Sequence, residues 1–275
     1  MNIRKDTHMK HLIKLSCIFL FLLPSLLLSA CARGFILPAA ADPRGEESLL
    51  TSPALLTRTE DLGQDYLDSF VFLGESTTYH LKSRGVLRNG TDTDQVWGPD
   101  GGTITLDASI GSLFIRYPET GELLSLSDAL RRKQPRILLL CFGLNGAPAK
   151  MKGGAKAYQT CYRILLDMVR EASPNTKIIL QSTFPVAKNM DMSAYSLTLD
   201  QLNQAIDTIN GWTLSLAEEY GVKYLNTQEI LKDKQGRLKM EYQVGDGHHL
   251  TKEAYLKILD YIRTHGYESA FQEEP

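Results

Sequence analysis

Residues 136–143 read Arg-Ile-Leu-Leu-Leu-Cys-Phe-Gly, a short apolar run closed by a glycine. A run of this length between turn residues is a strand. Its unbroken apolarity, in place of alternation, means that both faces are covered, as in a parallel sheet between two layers of helix. The sequence around it has the matching pieces. Over residues 155–172 the apolar positions Tyr158, Cys161, Tyr162, Leu165, Met168 and Val169 recur at the spacing of one helical face, ended by Ser173-Pro174-Asn175. A buried strand is expected over 177–180 and another over 222–225. Between them a helix over 199–220 carries Leu202, Ala205, Ile206, Ile209, Leu216 and Ala217, with Gly221 as its stop. Thr251 caps a last helix whose buried face is Ala254, Tyr255, Ile258, Leu259 and Ile262. Strands alternating with helices predict an α/β fold, a three-layer α/β/α sandwich on a mostly parallel sheet. Residues 57–68, 80–88 and 125–132 are read as short helices, residues 103–106 as an alternating strand, and residues 89–102 as a polar loop.

The first 30 residues stand outside that fold. Arg4, Lys5, Lys10 and Lys14 precede an apolar stretch over 15–28 that is too short for a comfortable membrane span. It ends in Leu28-Ser29-Ala30-Cys31, which resembles a bacterial lipobox and implies cleavage and lipidation at Cys31. An ordinary signal peptide cleaved near Ala30, or an uncleaved anchor, are the alternatives; every version exports the protein. Met9 is an alternative start. Residues 31–56, rich in Ala, Pro, Gly and charge, read as a tether, leaving residues 57–275 as one domain. The expected location is the outer face of the cytoplasmic membrane, held by a lipid at Cys31.

Without residues 1–30 the chain keeps 26 Lys and Arg against 31 Asp and Glu. This mild acidity, with no basic run interleaved with aromatics, excludes nucleic acid as an expected partner. Cys141 and Cys161, the two cysteines of the domain, are expected as buried free thiols. No metal site is expected, because His80, His248, His249 and His265 lack a further Cys or His at ligand spacing. No cofactor is expected either, and the oligomeric state is left open.

Two stretches at opposite ends of the domain carry candidate chemistry. Residues 69–78, Ser-Phe-Val-Phe-Leu-Gly-Glu-Ser-Thr-Thr, break an apolar run at Gly74 and deliver Ser76 to the carboxyl end of a strand, where open α/β sheets bind ligands. The same pattern suits an ordinary strand-to-helix connection capped by Ser76 or Thr77. Residues 245–251 read Gly-Asp-Gly-His-His-Leu-Thr. His249 follows Asp246 by three positions, so in a tight turn the carboxylate reaches Nδ1 and leaves Nε2 pointing outward, the orienting half of a Ser-His-Asp arrangement. His248 is one position out of register and is assigned to the pocket rim or to packing of the turn. After the central strand, Gly143-Leu144-Asn145-Gly146 sets Asn145 at a strand end. Its amide suits donation to an oxyanion, or else it is a turn asparagine in left-handed backbone before Gly146. Phe184-Pro185-Val186 is read as a loop beside the site, shaping an acyl or leaving-group pocket or simply packing.

Gly74-Glu75-Ser76, Gly143-Leu144-Asn145 and Asp246-Gly247-His248-His249, in that order, resemble three sequence blocks of the SGNH (GDSL-type) hydrolase superfamily, over about residues 65–266. The resemblance implies a flavodoxin-like sheet, Ser76 as nucleophile, His249 as base, Asp246 as its partner and no metal. It also implies an oxyanion hole made by the Ser76 N–H, a glycine N–H and the Asn145 side chain. Gly111, which follows the strand expected over 103–106, is preferred as that glycine, with Gly102 as the competitor. Two positions depart from the family pattern: Glu75 stands where the family has aspartate, and so does Gly146. The expected function is extracytoplasmic hydrolysis of carboxylic esters, acetyl or short acyl, on a small-molecule or glycan substrate. An O-acyltransferase acting on wall or surface glycans, and a non-catalytic binding module, are the alternatives.

Overall fold

The structure, a computed structural model, describes residues 51–267. The signal, lipidation and tether readings over residues 1–50, Cys31 included, lie outside the described residues.

The apolar run forms β5 (Ile137–Cys141), with all five residues buried. It lies in a five-stranded, wholly parallel sheet of order β2-β1-β5-β6-β7, built with β1 (Phe70–Gly74), β2 (Val96–Trp97), β6 (Lys177–Gln181) and β7 (Lys223–Leu225). Counting only the strands of this sheet, the order is the flavodoxin-like one, and it reverses between β1 and β5. Gly74 at the end of β1 is in register with Cys141 at the end of β5, so the loops that leave these two strands emerge side by side at the switch point.

Side chains alternate across each strand and feed two cores. On one side Val71, Leu73, Leu138 and Leu140 pack with Tyr162, Leu165 and Val169 of α4 (Ala147–Ala172) and with Ile206 and Ile209 of α5 (Leu199–Tyr220). On the other side Phe70, Phe72, Ile137, Leu139 and Cys141 pack with Tyr255, Ile258 and Ile262 of α7 (Lys252–Thr264). The Gly221 and Thr251 caps lie where the sequence places them, and a capping box not read from the sequence is added. Thr198 and Gln201 form a capping box on α5, Gly221 ends it in left-handed backbone, and Thr251 accepts the Ala254 N–H at the start of α7. Two short helices flank β1, α1 (Gly63–Asp68) before it and α2 (Ser76–Ser83) after it; α3 (Leu126–Lys133) precedes β5, and α6 (Gln228–Leu231) follows β7. Cys141 and Cys161 are both free thiols; Cys141 is buried as expected, but Cys161 is only half-buried.

Several expectations need correction: the helices read over 57–68 and 80–88 are confined to Gly63–Asp68 and Ser76–Ser83. Residues 103–106 form no strand: Ile104 and Leu106 are buried, but no partner strand lies beside them among the described residues, so the alternation records burial of alternate residues and not pairing. The second strand of the sheet is instead Val96–Trp97, inside the stretch read as polar loop, and it pairs with Phe72 and Leu73. A hairpin of β3 (Phe114–Arg116) and β4 (Leu123–Ser125), turned at Gly121, was not legible in the sequence. The tether is also shorter than read. Ala54 and Leu56 are buried, and the N–H of Leu56 and the carbonyl of Ala54 pair with Tyr224 of β7 at 2.8 Å each, so the domain takes in residues assigned to the tether.

Candidate active site

Ser76 opens α2 directly after β1. Gly74 is required there because a Cβ would collide with the Cys141 carbonyl oxygen and the Thr78 hydroxyl, so only glycine lets the chain turn this close to β5. The carbonyl of Glu75 takes the N–H groups of Thr78 and Tyr79 at 2.9 and 3.2 Å, which starts the helix and leaves the Ser76 N–H, in the first turn, without an intrahelical acceptor.

The loop between the end of β7 and α7 brings the other end of the domain to this point. Ser76 Oγ lies 3.1 Å from His249 Nε2, across 173 residues of chain. His249 Nδ1 lies 2.7 Å from Asp246 Oδ2. A carboxylate only accepts, so the imidazole proton sits on Nδ1 and Nε2 keeps its lone pair for the serine hydroxyl. Asp246 Oδ1 accepts the N–H groups of His249 and His248 at 2.9 and 3.0 Å. Desolvation works to raise the Asp246 carboxyl, but these two N–H groups and the His249 ring outweigh it and hold the group well below the usual carboxylate range. The loop that carries the pair is itself fixed. Gln243 Oε1 accepts the N–H groups of Gly245 and Gly247 at 2.6 and 3.1 Å, and the Gly247 carbonyl accepts the Ala187 N–H at 2.7 Å. Gly247, at φ +84°, runs so close to residue 190 that a Cβ would fall 2.5 Å from the Met190 Cα.

Glu75 explains how the loop after β5 is held. Its carboxylate, 2% exposed, accepts the N–H groups of Gly143 and Leu144 at 3.0 Å each and of Asn145 at 2.9 Å. Burial pushes its carboxyl up, against the pull of these amides and of the Lys150 charge; since the three amides are donors, the site is built for the ionised form. Lys150 Nζ, from the first turns of α4, donates to the Asn145 carbonyl. The loop is therefore gripped on its N–H side by an anion and on a carbonyl by a cation.

Asn145 is not in left-handed backbone; Gly146, at φ +71°, is. The turn-asparagine reading therefore fails, and the departure from aspartate at 146 has its reason in that backbone conformation. The Asn145 Nδ2 donates to Thr103 Oγ1 and the Ile104 carbonyl at 3.3 and 3.4 Å, contacts long enough to be exchanged for a better acceptor. Gly111 does not follow a strand end, as was expected of it. With no strand over 103–106, it sits in a 3-10 turn (Ala108–Ser112) against Ile164 of α4. Gly102 faces the ring of Tyr79 on α2 and precedes Thr103, but its N–H donates to the Pro99 carbonyl at 2.9 Å. Phe184 and Val186, read as a pocket loop, are buried, and Asn203 holds both the N–H and the carbonyl of Val186.

Two further residues of the site were missed. Lys150 gave no sequence signal beyond its place after the Asn145 turn. His80 was considered only as a metal ligand; its spacing of four from Ser76, one helical turn, was the available signal. Asp246, His248 and His249 do lie close enough together to share a cation, an arrangement that spacing alone excluded, but the Asp246 carboxylate is already engaged by the His249 ring.

The chain matches the model of the GDSL-like Lipase/Acylhydrolase family over residues 72–257. No curated protein matches it. Among solved structures it is similar to a GDSL-like lipase from Bacteroides thetaiotaomicron, at 16% identity and a TM-score of 0.46, over 72% of this chain and 87% of that one. It is also similar to the periplasmic domain of a lipopolysaccharide acetyltransferase from Salmonella ser. Paratyphi A, at 14% identity and a TM-score of 0.42, over 78% of this chain and 91% of that one.

Proposed function

The chain belongs to the GDSL-like lipase/acylhydrolase family, and from that premise we propose that it is a serine esterase that hydrolyses carboxylic esters, acetyl or short acyl, outside the cytoplasmic membrane. The observation that carries this reading is the unbroken hydrogen-bonded series Ser76 Oγ, His249 Nε2, His249 Nδ1, Asp246 Oδ2. Ser76 attacks the ester carbonyl while Nε2 takes its proton. Asp246 holds the tautomer and stabilises the imidazolium. The charge on the carbonyl oxygen meets the Ser76 N–H and the Asn145 amide, which gives up its long contacts to Thr103 and Ile104 as the charge develops. The imidazolium then protonates the leaving alcohol, and water activated by the same histidine releases the acyl group.

Export and lipidation at Cys31 complete the proposal and rest on the basic and apolar segments before Leu28-Ser29-Ala30-Cys31. The test is labelling with a fluorophosphonate probe, with the modified residue mapped by mass spectrometry, followed by a panel of p-nitrophenyl esters of graded acyl length. Label on Ser76 and turnover fastest with acetyl or short chains are expected. An unlabelled Ser76 in the folded protein would remove the esterase reading and leave a binding module. Acyl transfer to an added alcohol that outruns hydrolysis would make the protein an acyltransferase on the same machinery.

A further inference from the structure

His80 is a half-buried titratable side chain that the reaction described above does not use. It lies on α2 one turn after Ser76, so the two share a helix face. Its ring centroid is 4.5 Å from that of His249, tilted by 56°. His248 lies on the same ring at 3.9 Å, so His249 meets one imidazole from the nucleophile's helix and another from its own loop. The Nδ1 of His80 is buried and, among the described residues, has no hydrogen-bond partner. A buried N–H left unpaired is costly, so the proton belongs on Nε2 and the ring is neutral.

We propose that His80 is a positioning residue for His249: a neutral ring, carried on the same helix as the nucleophile, that keeps the base facing Ser76 Oγ and spares the imidazolium a like charge beside it. The inference rests on the reading of Ser76 and His249 as nucleophile and base. The neighbouring charges agree with it. The groups that face His80 are His249, His248 and Asp246 from the loop and Arg84 from its own helix. Burial first, then the His249 and Arg84 charges, push its imidazole down to about 4, against the pull of Asp246. Its helix is also tied to the far loop and to α7. Arg84 Nε donates to the Leu250 carbonyl at 3.3 Å, next to His249, and the Tyr255 hydroxyl donates to the Thr77 carbonyl at 2.6 Å. A shift of α2 would thus carry the nucleophile, the ring beside the base and the loop of the base together.

Three variants separate the roles. His80→Phe keeps a neutral ring, His80→Ala removes it, and His80→Lys puts a permanent cation in its place. The measurements are kcat and KM on the best p-nitrophenyl ester, and the titration of His249 by side-chain NMR in each folded variant. His80→Ala should lose roughly 10- to 100-fold in kcat with KM little changed, because the base is displaced and not the substrate. His80→Phe should recover most of that loss. His80→Lys should lower the His249 titration midpoint by on the order of one unit and move the acid limb of kcat/KM with it. A kcat for His80→Ala equal to wild type, or a His249 midpoint that does not move in His80→Lys, would overturn the proposal. Failure of the underlying reading looks different. The wild-type protein would then neither turn over ester nor label at Ser76, while the NMR titration still reports whether His80 and His249 sense one another.

Discussion

The buried carboxylate of Glu75 accepts the backbone N–H of Asn145 at 2.9 Å, across 70 residues of chain. With the Gly143 and Leu144 amides on the same carboxylate, the residue before the candidate nucleophile fixes the loop that carries the candidate oxyanion donor. The candidate nucleophile and the candidate oxyanion donor are thereby held as one unit.

Glu75→Gln replaces an acceptor-only group by one that turns an NH₂ toward three N–H donors. At least one buried amide loses its partner, which should cost roughly 2 to 3 kcal/mol of stability and lower kcat more than it raises KM. Glu75→Asp restores the residue type usual in the family but shortens the reach by about 1.5 Å, so it should also lose activity in this chain. Chemical denaturation and steady-state kinetics on both variants check this; a fully active Glu75→Asp would mean that the loop follows the carboxylate.

The two adjacent histidines are expected to differ. His249→Ala removes the only ring within hydrogen-bond distance of Ser76 Oγ among the described residues and should lower kcat by about 10⁴ to 10⁶. His248 touches the Asp246 carboxylate mainly through its own backbone N–H, which alanine retains, so His248→Ala should cost less than about tenfold. Equal losses in two folded variants would contradict the assignment of His249 as the base.

Much of this was legible in the sequence, and the exceptions have physical causes. β5 was readable because burial of both its faces excludes polar residues from five successive positions. Ser76, Asp246 and His249 were readable because each stands at a chain turn that a glycine marks. Val96–Trp97 was not, since a strand of two residues has no period to detect. The alternation at Ile104 and Leu106 misled because a loop that packs one side inward repeats as a strand does. The grip of Glu75 was hidden for another reason: its partners are backbone amides, and any residue type at 143–145 other than proline supplies them.

Lipidation at Cys31 is tested apart from the enzyme. Cys31→Ala should leave the protein unprocessed or cleaved elsewhere, and it should appear without the lipid mass. Mass spectrometry of the membrane fraction decides the matter, and a mature N-terminus other than modified Cys31 would remove the anchor.

Asn145 has lost its structural alternative, because its backbone is not left-handed and glycine would gain nothing there. Asn145→Ala and Asn145→Gly should therefore behave alike, with kcat and kcat/KM both lowered by roughly 10² to 10³. The long contacts to Thr103 and Ile104 contribute little to the fold, so the thermal midpoint should change little in the alanine variant. An active glycine variant would take Asn145 out of the reaction.

His80 also links the site to stability against pH. A histidine whose folded value is depressed binds fewer protons in the folded than in the unfolded state between the two values. Its contribution is present above the ordinary histidine value of about 6.5 and is lost as the pH falls toward about 4, where the folded ring finally takes a proton. Asp246 acts in the same sense but lower, since a carboxyl held down loses its contribution only as the pH falls past the ordinary carboxylate range. Over pH 4.5 to 7, roughly the window between the two histidine values, the wild-type protein should lose stability as the pH falls, and His80→Phe, with no ring to titrate, should lose less. The ring is half-exposed, so solvent screening cuts the difference to about 1 kcal/mol, a shift of a few degrees in Tm. All other titrating groups are common to the two proteins, so the difference between their Tm–pH curves isolates this ring. Curves that fall in parallel would mean that His80 takes its proton as readily folded as unfolded, and that the ring beside His249 is not held neutral.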